Sequence, residues 1–375
     1  VTIKEIEAKS ILRKHKKMDS WFISQYGMNF YRGCMHNCVY CDGRSEGYFV
    51  EGEFGEDIAV KVNAIDILRR ELDAKRKRIP LKPCYIMVGG GVGDSYQPAE
   101  KKYELTRNAL RLMFEKNLPV SMLTKSTLIE RDIDIFKEIN RKSGAIVSFS
   151  FSSVDDKISA ISEPGVPPPS QRLKTLALFK KEGIACGMFL MPVIPFITDS
   201  VEMMKQSVKK ASEIGVDFII FSGMTLKEGK QREYFYRTLE QYYPELLTEY
   251  KNIYAENKWG QATGAYYDSL NFMFRSIAKQ YKVPLRIPAK LYANILNEND
   301  LVMVMLEQID YLLKLEGKKS PYSFAAYSIS QLKDPLSGMK KELRKLKGVG
   351  KVTEQIILDI LETGNSAYYD KLLFG

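Results

Sequence analysis

Cys34-Met-His-Asn-Cys38-Val-Tyr-Cys41 sets three thiols in a C-x3-C-x2-C spacing within eight residues. Three thiolates that close together can hold one soft metal centre. They fall one ligand short of the four that an iron–sulfur cluster or a structural zinc normally takes. A [4Fe–4S] cluster held by three cysteines leaves one iron open to an exogenous ligand. The competing readings are a zinc site completed by His36 and three unconnected buried thiols. The place of His36 between two ligands on a tight loop argues against the first. The chain has five cysteines, and the other two are Cys84 and Cys186. That is too few for a disulfide framework or for a second cysteine-held cluster.

Elements must hold this loop. Short apolar runs predict strands at 27–31, 84–90, 119–124, 145–151, 185–191 and 217–222. Helical spacing lies between them. Val60, Ala64, Ile67, Leu68 and Leu72 share one predicted helix face. Leu105, Ala109, Leu112 and Met113 share a second, and Leu173, Leu176 and Phe179 a third. Six strand–helix units in succession predict an α/β fold whose parallel strands form a closed or partly closed sheet. Such a sheet carries its chemistry on the loops after the strands, and the cysteine loop follows the first.

The alternation divides the chain into a basic and aromatic lead-in over 1–26, the strand–helix region 27–225, a helical extension over 226–298 and a small all-α domain over 299–375. The extension is rich in tyrosine, including Tyr234, Tyr236, Tyr242, Tyr243, Tyr250, Tyr254, Tyr266 and Tyr267. These rings either pack on the sheet or stack nucleic-acid bases. In the last domain Gly348-Val349-Gly350, flanked by Lys345, Lys347 and Lys351, has the form of a helix–hairpin–helix. Such a hairpin presents backbone amides and a helix N-terminus to a phosphate, independent of sequence. Between Lys333 and Lys351 lie Lys340, Lys341, Arg344, Lys345 and Lys347 against Asp334 and Glu342.

The chain has 375 residues, 45% of them hydrophobic and 27% charged, which excludes general disorder. The net charge of +10 permits an anionic partner without requiring one. No apolar run reaches the ~18–20 residues of a membrane helix, and VTIKEIEAKSILRKHKK lacks a signal-peptide core. A soluble cytoplasmic protein with no membrane partner is expected.

The cysteine spacing, on the loop after the first strand of a βα barrel, resembles the radical S-adenosylmethionine superfamily. The resemblance covers roughly residues 27–225. It implies a partial (β/α)6 barrel, one [4Fe–4S] cluster on Cys34, Cys38 and Cys41, and S-adenosylmethionine bound at the open iron. It also implies a low-potential electron donor such as ferredoxin or flavodoxin. NFYRGCMHNCVYCDGRSEGY, GDSYQPAE, LTKSTLIERD, SEPGVPPPSQRL and MPVIPFITD are similar to the spore photoproduct lyase-like branch, whose founding member repairs a thymine dimer in DNA. Carried over by position, Tyr40 shields the cluster and Gly89, Gly90 and Gly91 meet the methionine amino group. Lys125 meets its carboxylate, and Ser150 and Ser152 meet ribose or carboxylate if their face is inward. Asp94 joins this cofactor-binding set. Arg172 and Glu163 are weaker candidates, because a surface ion pair has little consequence. The branch quenches its product radical with a cysteine after the second strand. Here that stretch reads GGGVGD, so Tyr96 stands as the alternative hydrogen donor.

Residues 301–375 resemble the amino-terminal domain of family X DNA polymerases. The lysine that gives some relatives lyase activity is replaced by Ile356, so binding to gapped, frayed or single-stranded DNA is implied and lyase chemistry is not. Together the two resemblances imply a radical enzyme that repairs or modifies a base in nucleic acid, DNA favoured over RNA. The competing functions are RNA base modification, radical chemistry on a peptide or small molecule, and iron–sulfur redox sensing.

Overall fold

The computed structural model describes residues 1–48, 51–73, 75, 80–89, 92–255 and 259–374. Among the described residues ten strands form two sheets. They are β1 (Thr2–Ile6), β2 (Leu12–Asp19), β3 (Ser24–Met28), β4 (Tyr31–Arg32), β5 (Asp57–Lys61), β6 (Tyr85–Val88), β7 (Val120–Thr124), β8 (Ala145–Phe151), β9 (Ala185–Val193) and β10 (Phe218–Gly223). The main sheet runs β10-β9-β8-β7-β6-β3-β2 and curls into a half-barrel. Its six strands from β3 to β10 are parallel and in sequence order, and β2 folds back antiparallel on β3 as the edge.

β8 reads AIVSFSF and is buried at every position, as a parallel strand covered on both faces must be. Helices return the chain between strands: Leu105–Glu115, Ile133–Lys142, Pro169–Lys181 and Val201–Ile214. The last is capped by Ser200, whose hydroxyl accepts from the Met203 amide, and stopped by Gly215 in the left-handed region.

Two expectations shift. The first predicted strand, 27–31, forms three residues earlier as β3, and Tyr31–Arg32 becomes β4. Val60, assigned to a helix face, lies in β5. Its helix begins at Ala64, where Ile67 and Leu68 are buried as expected. A small sheet of order β1-β5-β4 has no counterpart in the predicted elements.

After β10 the chain is helical. Helix Glu298–Leu315 is buried at 13 positions, and its apolar residues belong to the same core as the barrel strands. Gln308 on this helix donates to the Ser20 carbonyl at 3.1 Å and accepts from the Tyr369 hydroxyl at 2.6 Å. Helices Tyr322–Ser330, Lys351–Thr363 and Ala367–Phe374 complete the C-terminal module. Among the described residues no helix is long and apolar enough to cross a membrane.

Candidate functional site

The cysteine loop leaves β4 and ends in a short 3-10 turn at Asp42–Arg44. Cys34 and Cys38 are buried and Cys41 nearly so. The backbone amides of His36 and Gly43 favour the thiolate forms of Cys34 and Cys41. Burial pushes the Cys38 thiol up to about 12 and Cys34 well above its usual value, the latter helped by Asp94. Without a cation the thiols are therefore protonated, and a bound centre must displace protons.

His36 is turned toward protein partners. Its Nδ1 faces the Gly165 carbonyl at 2.9 Å and its Nε2 lies 3.2 Å from Asp94 Oδ2. Among the described residues no three His, Cys, Asp or Glu side chains converge on a single-ion position. A zinc would draw its sulfurs to about 2.3 Å from one point, whereas a four-iron cluster spreads its cysteines wider. Three cysteines leave a fourth coordination position open, which suits a cluster with one exogenous ligand.

Neighbouring segments clamp the loop from several sides. The Val39 amide donates to the Ser162 carbonyl at 2.9 Å and the Gly165 amide to the His36 carbonyl at 3.0 Å. Gln97 spans it from a third side, donating to the Gly33 carbonyl at 3.2 Å and accepting from the Met35 amide at 2.9 Å. Gln231, on helix Lys230–Tyr242, donates to the Tyr40 carbonyl at 2.9 Å. Arg44 donates to the Cys38 carbonyl at 3.3 Å and lies over the Tyr234 ring at 3.4 Å. Gln97, Arg44 and Gln231 carry no signal in spacing, because each acts through a fold contact.

Beside the loop, Glu163 collects the charges. Its carboxylate is fully buried and accepts from Tyr40 and Arg172, from Lys125 Nζ at 2.9 Å and from Ser159 at 3.0 Å. Burial alone would raise its pKa. The Arg172 and Lys125 charges and the Tyr40 hydroxyl outweigh burial and hold the carboxyl well below the usual carboxylate range. Arg172 is also fully buried and donates to the Ser150 carbonyl at 2.6 Å. The two form an interior ion pair, not the surface pair that weighed against them as candidates. Lys125 Nζ reaches Ser150 Oγ at 3.0 Å and lies 5.6 Å from the Tyr40 ring centroid. Ser152 is buried with no partner for its hydroxyl, and Arg172 Nε is likewise unmatched. An orphaned buried polar atom costs about 1–3 kcal/mol, so each is a hydrogen-bonding group the protein itself leaves unused.

The remaining predicted residues divide. Gly89 has φ +77°, and a Cβ there would stand 2.7 Å from the Leu123 carbonyl oxygen; only glycine fits this turn. Gly90 and Gly91 lie outside the described residues. Asp94 is spent on protein: it accepts from Thr124 Oγ1 and the Lys125 amide at 2.7 Å and from the Tyr96 amide at 2.8 Å, besides facing His36. It ties the cysteine loop to the ends of β6 and β7 rather than facing a ligand. Tyr96 is turned toward the outer helices. Its fully buried hydroxyl donates to Asp132 at 2.8 Å, within a network with Arg107 and Arg131. That geometry corrects the expectation of a hydrogen donor. Cys84 and Cys186 are buried too.

A cavity of about 580 Å3 opens beside the glycine turn, lined in part by Gly33, Gly89, Met87, Phe22, Arg13 and His15. It joins the cysteine loop to the basic edge strand β2.

Two tyrosines of the extension pack in the interior. Tyr250 and Tyr254 are buried in a second core with Cys38, Val39 and Tyr40. Their hydroxyls donate to the carbonyls of Pro195 at 2.5 Å and Met224 at 2.8 Å.

At the C-terminal hairpin Val349 is buried, while Lys345, Lys347, Gly350 and Lys351 are exposed. Gly348, at φ +89°, is pressed against helix Tyr322–Ser330: a Cβ would stand 2.6 Å from the Ala325 nitrogen. Helix Lys351–Thr363 starts with no side-chain cap, leaving its first amides toward solvent. Lys345 pairs with Glu342, whereas Lys340, Lys341, Lys347 and Lys351 are exposed and outside any ion pair among the described residues.

Comparisons agree with this geometry. The family model of the radical SAM superfamily matches residues 28–208, and a helix-hairpin-helix domain model matches 297–366. An uncharacterized protein of Mycobacterium tuberculosis is 30% identical over 258 residues, covering 68% of this chain and 74% of the relative. Another, from Methanocaldococcus jannaschii, is 31% identical over 223 residues, covering 59% and 78%. Among solved structures, spore photoproduct lyase complexed with dinucleoside spore photoproduct shares the fold at a TM-score of 0.55 and 16% identity, over 74% of this chain and 79% of that one. A variant of that lyase with bound AdoMet and the same photoproduct matches at 0.54 and 17%, over 74% and 78%.

Proposed function

The chain belongs to the radical SAM superfamily, and we propose that it repairs or modifies a base in nucleic acid, DNA foremost, docking through its C-terminal hairpin. Members of the superfamily use a [4Fe–4S] cluster and S-adenosylmethionine. When bound, these supply hydrogen-atom abstraction by a 5′-deoxyadenosyl radical. Cys34, Cys38 and Cys41 are the proposed cluster ligands, with the His36 and Gly43 amides favouring the thiolate form of two of them. A low-potential carrier of the ferredoxin or flavodoxin type is the proposed electron donor.

The chain's own residues orient the cosubstrate. Lys125 offers a positive charge to a carboxylate, held in place by Glu163 and Ser150. Ser152 offers an unmatched hydroxyl, and Gly89 allows close backbone approach. The cavity beside Gly33 and Gly89 is the proposed seat of the substrate. A base inside a duplex must be extruded to enter it. The stretch GGGVGD after β6 has no thiol, so the proposed reaction involves no cysteine donor in that loop.

One observation carries the proposal. The barrel strands that carry the three-cysteine loop at their ends share one continuous core with the C-terminal module, whose basic hairpin leads into an uncapped helix terminus. The dinucleoside photoproduct held by structures of the same fold supports a nucleic-acid substrate. Nucleoside mass spectrometry of DNA and RNA from cells with and without the gene tests it. A base difference in DNA is expected; a difference only in RNA moves the substrate to RNA, and none in either contradicts the reading. Titrations should also show that Lys345→Gln and Lys351→Gln weaken DNA binding.

A further inference from the structure

The cavity of about 580 Å3 beside the glycine turn has a basic wall. Arg13 and His15 line it from the edge strand β2, and Arg32 and Lys61 line it from β4 and β5 of the small sheet. Asp19 is the one acid among the lining residues, and its carboxylate already accepts from the Trp21 and Phe22 amides at 2.7 and 3.2 Å. Arg13 and His15 are two residues apart on a strand and so share one face. Gly27 pairs with Arg13 across the ladder and puts no side chain on that face; a Cβ there would stand 3.4 Å from His15 Nε2. Lys61 is half-buried, and its ammonium donates to the Asn29 carbonyl at 2.7 Å. Among the described residues no carboxylate pairs with Arg13, Arg32 or Lys61. Burial, and then the neighbouring Arg32 charge, pull the Lys61 ammonium below the usual lysine range. Protection of an open sheet edge accounts for cations on β2. It does not account for Lys61, because β5 is paired on both sides, with β1 and β4. Cations gathered in a cavity without a counter-charge fit a ligand that brings one.

Resting on the nucleic-acid reading above, we infer that Arg13, Arg32 and Lys61 bind a backbone phosphate of the strand that carries the reacting base. His15 supplies a further donor on the same wall. Phosphate is the fitting anion, since guanidinium groups meet it with paired N–H donors and an ammonium meets it as a point charge. The same cavity is lined by Gly33, the residue before Cys34, and by Gly89. A strand held by its phosphate at the basic wall can therefore present the neighbouring base toward the cysteine loop. The contact carries no sequence information, so it fixes where the strand lies and leaves base choice to the rest of the cavity. None of these residues belongs to the C-terminal hairpin, so the chain grips the strand at two places.

The test uses the full chain with a short single-stranded DNA, an RNA of the same sequence, and a DNA whose linkages are uncharged methylphosphonates. Amine acetylation read by mass spectrometry reports on Lys61, and anisotropy over a salt series reports affinity. Lys61 should react in the free protein. It should be protected by whichever natural strand binds, DNA foremost, and not by the methylphosphonate strand. Arg13→Gln/Lys61→Gln should weaken binding and lower the slope of log affinity against log salt by about 1.4, the share of two phosphate contacts on a single strand. Arg13→Lys/Lys61→Arg should keep the wild-type slope, and circular dichroism checks that both variants fold. Lys345→Gln/Lys351→Gln should also weaken binding, yet leave Lys61 protected once the strand saturates the protein. Lys61 unprotected in the bound complex, or an unchanged slope in the glutamine variant at the cavity, would overturn the inference and leave the nucleic-acid reading standing. So would a Lys61 unreactive in the free protein, or one protected by inorganic phosphate or a mononucleotide and by neither strand. Absence of any wild-type binding to DNA or RNA would overturn the nucleic-acid reading and this inference with it.

Discussion

Removing the charge of Glu163 strands two buried cations. Glu163→Gln leaves Lys125 and Arg172 without a counter-charge in a site where Glu163 and Arg172 have no exposed surface. Breaking such a pair costs about 3–5 kcal/mol, to be read from urea melts of the apoprotein at pH 7. The sign with pH follows from the depressed carboxyl. Its contribution is present above the unfolded value of about 4.3 and is lost as pH falls toward the folded one. The wild-type advantage over the variant should hold from pH 7 to about 5. It should narrow by up to about 1.4 kcal/mol per unit below about pH 4; an advantage that grows in acid would refute this. At this scale the sequence showed which residue types to suspect, and Lys125 and Ser150 do converge. It did not show burial, so a surface reading weighed against the interior Glu163–Arg172 pair. Nor did it show direction: Tyr96 follows the glycine turn but faces Asp132.

The cysteine loop depends on elements distant in sequence. Gly165 is packed so closely that a Cβ would stand 2.4 Å from the Met35 carbonyl oxygen. Gly165→Ala should therefore push the loop aside and lower iron per chain after anaerobic reconstitution, while far-ultraviolet circular dichroism stays native. Full iron loading would show that the clamp is dispensable. The parallel strands were legible because strands buried on both faces are continuous apolar runs, and β8 formed at its predicted bounds, 145–151. β2 was not. LRKHKKMD is exposed at most positions and pairs on one side only, so its strand character comes from β3 and not from its own pattern. β1, β4 and β5 are similarly defined by pairing between distant segments.

Across the molecule, the barrel and the C-terminal module share one core. Arg286 is buried between Trp21, at 4.7 Å from the ring centroid, and Tyr311 on helix Glu298–Leu315, at 3.2 Å. Equilibrium urea unfolding should accordingly show a single transition by fluorescence and circular dichroism; two separated transitions would mean independent units. The start of helix Glu298–Leu315 lies beside the boundary expected near 298, and Asn297 caps it locally. The docking of the module was not legible in the sequence, since it rests on contacts such as Gln308 to Ser20 across 288 positions. The central claim, radical chemistry at the three-cysteine loop, is tested most directly by anaerobic incubation of reconstituted protein with dithionite and S-adenosylmethionine. Wild type should release 5′-deoxyadenosine and Cys38→Ala should release none. Wild-type protein that carries a full complement of iron and sulfide yet yields no 5′-deoxyadenosine, with or without DNA, would contradict the account.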